Sequence, residues 1–80
     1  MTQAMNKLYQ RLEKNGWYCH FERDTLREVF WLAAEPPQGF SWSEMKAELW
    51  DYAKAEFGLR ANVREKDNFF IVEDLDSRKI

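Results

Sequence analysis

Two stretches of this chain can be laid over one another: YQRLEKNGWYCHFERD, Tyr9 to Asp24, and YAKAEFGLRANVREKD, Tyr52 to Asp67, with one residue shifted near the glycine. Gly16 then matches Gly58, Trp17 matches Leu59, Cys19 matches Ala61 and Phe21 matches Val63. Each stretch reads as the end of a helix, a glycine able to take the left-handed position after it, and an alternating strand. The segments that follow, VFWLAAE and FFIVEDL, are alike in kind. Duplication explains the match, and so does convergence, because a helix-to-strand junction favours a capping glycine and an alternating strand in any case. Under either origin, one αββ unit cannot bury its own apolar face and two stacked units can.

Outward from these stretches the order is helix, strand, strand, helix, strand, strand. In the first helix Met5, Leu8 and Leu12 form a stripe with Tyr9 beside it, and Asn15-Gly16 stops it. Trp17 to Arg23 reads as a strand in which Trp17, Cys19 and Phe21 alternate with Tyr18, His20 and Glu22. A turn at Asp24-Thr25 leads to a second strand, Glu28 to Ala34, apolar on both faces. Phe30 and Trp31 are adjacent there, so they face opposite ways. Pro36, Pro37 and Gly39 break the pattern.

The second helix, Trp42 to Phe57, carries the strongest local signal. Ser41 is the N-cap, Glu44 completes a capping box, and Phe40 with Met45 makes a hydrophobic staple. Trp42, Met45, Leu49, Ala53 and Phe57 mark its buried stripe, flanked by Tyr52, and Gly58 ends it. Leu59 to Glu65 reads as a strand with Leu59, Ala61 and Val63 on one side and Arg60, Asn62 and Arg64 on the other. After a turn at Lys66-Asp67-Asn68, Phe69 to Glu73 forms the last strand. Asp74 to Ile80 reads as polar and frayed, apart from Leu75. The expectation is one α+β domain over residues 1–75 with a tail at 76–80. It is an αββαββ chain with a four-stranded antiparallel sheet and both helices mainly on one face. A three-layer arrangement, with a helix on each face, is the competing architecture.

Eighty residues allow one domain. A chain this short buries only about 60% of its unfolded surface, and an aromatic content of 16%, with four Trp, supplies a dense core. Cys19 is the only cysteine, so no internal disulfide can form, which fits a reducing cytoplasm. The first fifteen residues lack the apolar run of a signal peptide, and no stretch approaches a membrane span. A net charge of −2 argues against holding duplex DNA or anionic lipid by bulk charge.

Catalytic and cofactor chemistry find no footing. His20 and Cys19 are neighbours in a strand and point to opposite faces, so they cannot form a dyad. There is no Cys/His cluster for zinc and no glycine-rich phosphate loop. Two binding readings remain. On the polar side of strands one and three, Tyr18, His20, Arg60, Asn62 and Arg64 mix aromatic and basic groups as sheet-type nucleic-acid binders do, without their aromatic signature. The aromatic count also exceeds what one face of a small sheet with two helices readily hides. That leaves Tyr18, whichever of Phe30 and Trp31 faces outward, and Trp50 between Lys46 and Lys54 as anchors for a protein partner or a second copy. The expectation is a non-enzymatic interaction or regulatory module of the kind found among small bacterial or phage accessory and inhibitor proteins. Its candidate surface is Tyr18, His20, Trp31, Trp50, Arg60, Asn62 and Arg64, and nucleic acid is the second choice of partner.

Overall fold

The computed structural model describes residues 3–24 and 29–75. The elements are α1 (Gln3–Lys14), β1 (Tyr18–Asp24), β2 (Val29–Glu35), α2 (Trp42–Phe57), a 3-10 turn (Gly58–Arg60), β3 (Ala61–Lys66) and β4 (Phe69–Asp74). Glu28, the loop expected after Asp24 and the tail at 76–80 lie outside the described residues.

The strands form one antiparallel sheet in the order β1-β2-β4-β3. Two hairpins therefore meet side by side, with Leu32 opposite Val72 and Ala34 opposite Phe70 across the central seam. One cluster of buried side chains unites the sheet residues Cys19, Leu32, Ala34, Val63, Phe70 and Val72 with Met5, Leu8 and Leu12 of α1 and Met45, Leu49, Ala53 and Phe57 of α2. The strand register puts all those sheet residues on one face. Both helices thus cover the same face, the two-layer arrangement is the one adopted, and the three-layer alternative is set aside. Arg11 reaches Glu56 at 3.2 Å and ties one helix to the other.

Local chemistry sets the junctions. Gly16, at φ 88°, follows α1; its N–H donates to Glu13 O at 3.1 Å and the Trp17 N–H donates to Leu12 O at 3.0 Å. This is the paired closure that a left-handed glycine permits, and it folds the Trp17 ring into the core. Ser41 caps α2 by accepting the Glu44 N–H at 3.2 Å. The expected staple is not part of the core, since Phe40 stays 61% exposed. Trp42 takes the covering role instead, stacked on the fully buried Phe70 with ring centres 4.1 Å apart.

Two sequence expectations need correction. β3 starts at Ala61, not Leu59, because Gly58 at φ 60°, ψ −131° takes a conformation open to glycine and turns the chain through Gly58–Arg60 first. Leu59 consequently stands fully exposed rather than on the helix-facing side. Asp74, read as the start of the frayed end, lies in β4 and is buried, 2% exposed, next to the likewise buried strand residue Glu73.

Candidate functional site

The helix-free face of the sheet is laid out by the register. His20, Ala33, Ile71 and Arg64 form one row across all four strands, and Glu22, Trp31, Glu73 and Asn62 form the next. Of the adjacent Phe30 and Trp31, Trp31 is therefore the one on this face, half-buried as is Phe69 opposite Lys66; only the backbone of Phe30 is described. Tyr18 stands at one end, 68% exposed, its ring tilted against that of His20 with centres 6.4 Å apart. His20 Nε2 lies 2.9 Å from Glu22 Oε1. Ala33 and Ile71, in the centre of the face, are buried.

The electrostatics of the face centre on Glu73. Arg64 Nη2 donates to Glu73 Oε1 at 2.6 Å, and Asn62 Nδ2 donates to Glu73 Oε2 at 3.3 Å. A carboxylate taken out of water is tolerated when a guanidinium and further donors satisfy it. Arg64, its side chain 52% exposed, is thus engaged sideways along the sheet and paired with a carboxylate on the same face. Arg60 does not stand with Asn62 and Arg64. It lies in the 3-10 turn, where Nε donates to Phe57 O at 3.3 Å and approaches Asp74 Oδ1 at 3.6 Å.

Trp50 belongs to a different surface. It packs against the rim of the core from α2, with Lys54 Nζ 5.5 Å from its ring centre. Trp50, Lys54, Gly58, Leu59 and Ala61 line an open groove of about 550 Å³ beside the start of β3. The seven candidate residues thus separate. Tyr18, His20, Trp31, Asn62 and Arg64 share the helix-free face, Trp50 lies in the groove, and Arg60 lies in the turn. Leu59 and Glu73 complete these surfaces and were not among the candidates. Leu59 was hidden by an alternating pattern that runs unbroken through the turn, and Glu73 by partners eleven and nine residues away.

Cys19 is on the helix-facing side with Trp17 and Phe21, and it is buried. Burial, helped by the nearby Glu13 carboxylate, pushes its thiol up to about 12. It is a neutral thiol at physiological pH, unsuited to nucleophilic chemistry. The Trp17 indole N–H, also buried, has no hydrogen-bond partner among the described residues. Among the described residues no three His, Cys, Asp or Glu side chains converge as a metal ion requires, and no helix is long and apolar enough to cross a membrane. No protein-family model matches the chain, and no curated protein or solved structure matches it either.

Proposed function

We propose that this domain works without catalysis, by binding another protein through the helix-free face of its sheet. The observation that carries this reading is the engagement of Arg64 and Asn62 by Glu73. A phosphate-binding sheet needs cations whose charge is directed outward. Here the guanidinium on the face is held by a carboxylate in its middle, and Arg60 is drawn toward Asp74. What the face offers instead is aromatic: exposed Tyr18 and half-buried Trp31, surrounded by mixed polar groups. Aromatic anchors within a polar rim are the usual composition of a protein interface. An accessory subunit or inhibitor acting in the cytoplasm on a larger complex is the concrete form of this proposal.

The test compares Tyr18→Ala with Arg60→Ala/Arg64→Ala, each checked for intact folding. Both are assayed against host-lysate proteins and against single-stranded DNA and RNA at low and moderate salt. A protein partner bound by the parent and lost in Tyr18→Ala is the expected result. Nucleic-acid binding that weakens steeply with salt and disappears in the double-arginine variant overturns the proposal.

A further inference from the structure

β3 is the outer strand on one side of the described sheet, and the hairpin fixes which of its backbone groups face outward. Lys66 and Phe69 flank a two-residue turn and pair with each other. Residues that close such a turn exchange their own N–H and C=O groups, and the bonding alternates along the strand. Asn62, Arg64 and Lys66 therefore direct their backbone groups to β4, while Ala61, Val63 and Glu65 direct theirs to the edge. The Ala61 N–H is taken by Gly58 O within the 3-10 turn. The edge thus presents the Ala61 C=O and both backbone groups of Val63 and Glu65.

We propose that this edge pairs antiparallel with β3 of a second copy of the chain, centred on Val63, so that two sheets join into one. This does not rest on the reading of the helix-free face. Residues opposed across a continuous sheet point to the same face, which restricts the registers. Centring on Arg64 or on Glu65 sets like charges directly opposite each other, and centring on Asn62 pairs Val63 with Ala61, whose N–H is already taken by Gly58 O. Centring on Val63 keeps like charges apart within the strand: Val63 meets its own copy, Asn62 meets Arg64, and Ala61 meets Glu65, while the pair Arg60 and Lys66 falls at the 3-10 turn, where Arg60 is drawn to Phe57 O and Asp74. The free backbone groups fit the same register. Val63 N–H meets Val63 C=O in both directions, and Glu65 N–H meets Ala61 C=O in both directions.

The side chains flanking the edge agree with that register. Lys54 lines the groove beside Ala61, and so stands near the second copy's Glu65. The hairpin end of the second copy then lies over the groove and covers Leu59, which the single chain leaves fully exposed. The other outer strand, β1, has no exposed counterpart of Leu59 at the same junction. There the residue after the capping glycine is Trp17, and it is buried in the core.

Sedimentation equilibrium of the full chain, from micromolar to near-millimolar concentration, reads the association. The expected result is a monomer–dimer equilibrium whose dissociation constant rises about tenfold or more in Leu59→Asp, with the monomer's stability unchanged because that side chain is already in solvent. Tyr18→Ala, on the other face, leaves the equilibrium as it is. Amide exchange of the unmodified protein supplies a second readout. The Val63 and Glu65 amides slow as concentration rises, while those of Asn62 and Arg64 are slow throughout. A chain that stays monomeric at every concentration overturns the proposal, as does a dimer indifferent to Leu59→Asp. A dimer lost in Tyr18→Ala, or one in which Val63 and Glu65 still exchange fast, places the contact elsewhere and overturns it too.

Discussion

The Trp42 indole N–H donates to Glu65 Oε1 at 2.5 Å, joining the first residue of α2 to the outer strand β3. Lys46 Nζ, one turn further along the helix, reaches the other carboxylate oxygen at 3.3 Å. The same Trp42 ring lies flat on Phe70 in the core. One carboxylate on an edge strand therefore holds the lid of the aromatic core in place, and the N-terminus of α2 is set by a contact between residues 23 apart in the chain.

This contact has a pH signature. The hydrogen bonds from Trp42 and then Lys46 hold the Glu65 carboxyl below its ordinary value of 4.5. A folded-state value below the unfolded one means the stabilisation is fully present above 4.5 and is lost as pH falls through the lowered folded value. The stability difference between the parent and Glu65→Gln should accordingly be constant near neutrality and shrink in acid. Urea midpoints for both proteins across that range check it. A difference that stays flat into strong acid would show that the carboxylate is not held in this way.

Ser41→Ala is expected to destabilise the domain by about 0.5–2 kcal/mol, because the Glu44 N–H loses the Ser41 oxygen that accepts it. Ser41→Asn should retain most of the stability, since its side-chain oxygen can serve the same N–H. Equal denaturation midpoints for parent and alanine variant would mean that the first turn of α2 does not depend on this cap.

Cys19 should resist thiol reagents in the folded protein. Its side chain is buried and its thiol is neutral up to about 12, so labelling has to wait for opening of the sheet-to-helix packing. The labelling rate at mildly alkaline pH should rise with urea in step with unfolding. Labelling of the native chain as fast as the denatured one would place Cys19 at the surface.

Asp67, at φ 50°, is the non-glycine residue with positive φ among the described residues. It occupies the first central position of the β3–β4 turn, where that backbone suits glycine. Removing the strain of an L-residue gains roughly 1–2 kcal/mol, and the extra freedom of glycine in the unfolded chain costs roughly 0.5–1 kcal/mol. Asp67→Gly should therefore be slightly more stable than the parent, read as a higher urea midpoint at unchanged slope. A clear loss of stability would mean that the Asp67 side chain does more in this turn than its backbone angle indicates.

Much of this architecture is legible in the sequence because its signals are local. The stripe Met5, Leu8, Leu12, the cap at Ser41 and the glycines at 16 and 58 all act within a few residues, and the structure holds them where those rules place them. The β2–β4 seam is a different case. Two hairpins can be read separately, but nothing within either one says which strands become neighbours, and Ala34 meets Phe70 only through the assembled core. Leu59 was misplaced because a 3-10 turn and a strand both tolerate the apolar-polar alternation of Leu59-Arg60-Ala61, and the backbone of Gly58 decides between them. On the helix-free face, Tyr18, His20, Asn62 and Arg64 were legible as a group from their spacing. Their electrostatic character was not, because it depends on Glu73, a carboxylate near the chain end whose burial requires a neighbouring strand.

Arg64 and Glu73 give the prediction that most directly probes this face. Glu73 is 5% exposed, and its carboxylate accepts a hydrogen bond from Arg64 at 2.6 Å. Arg64→Ala removes that donor and leaves a buried carboxylate with less compensation, which should cost about 1–3 kcal/mol. In a Glu73→Ala background no carboxylate remains to be left unsatisfied, so the same substitution should cost under about 0.5 kcal/mol. Urea denaturation of the parent, both single variants and the double variant closes the cycle. Equal costs for Arg64→Ala in the two backgrounds would show that Arg64 is not tied to Glu73. Its charge would then be directed outward, available to phosphate, and the argument for a protein-binding face over a nucleic-acid one would lose its foundation.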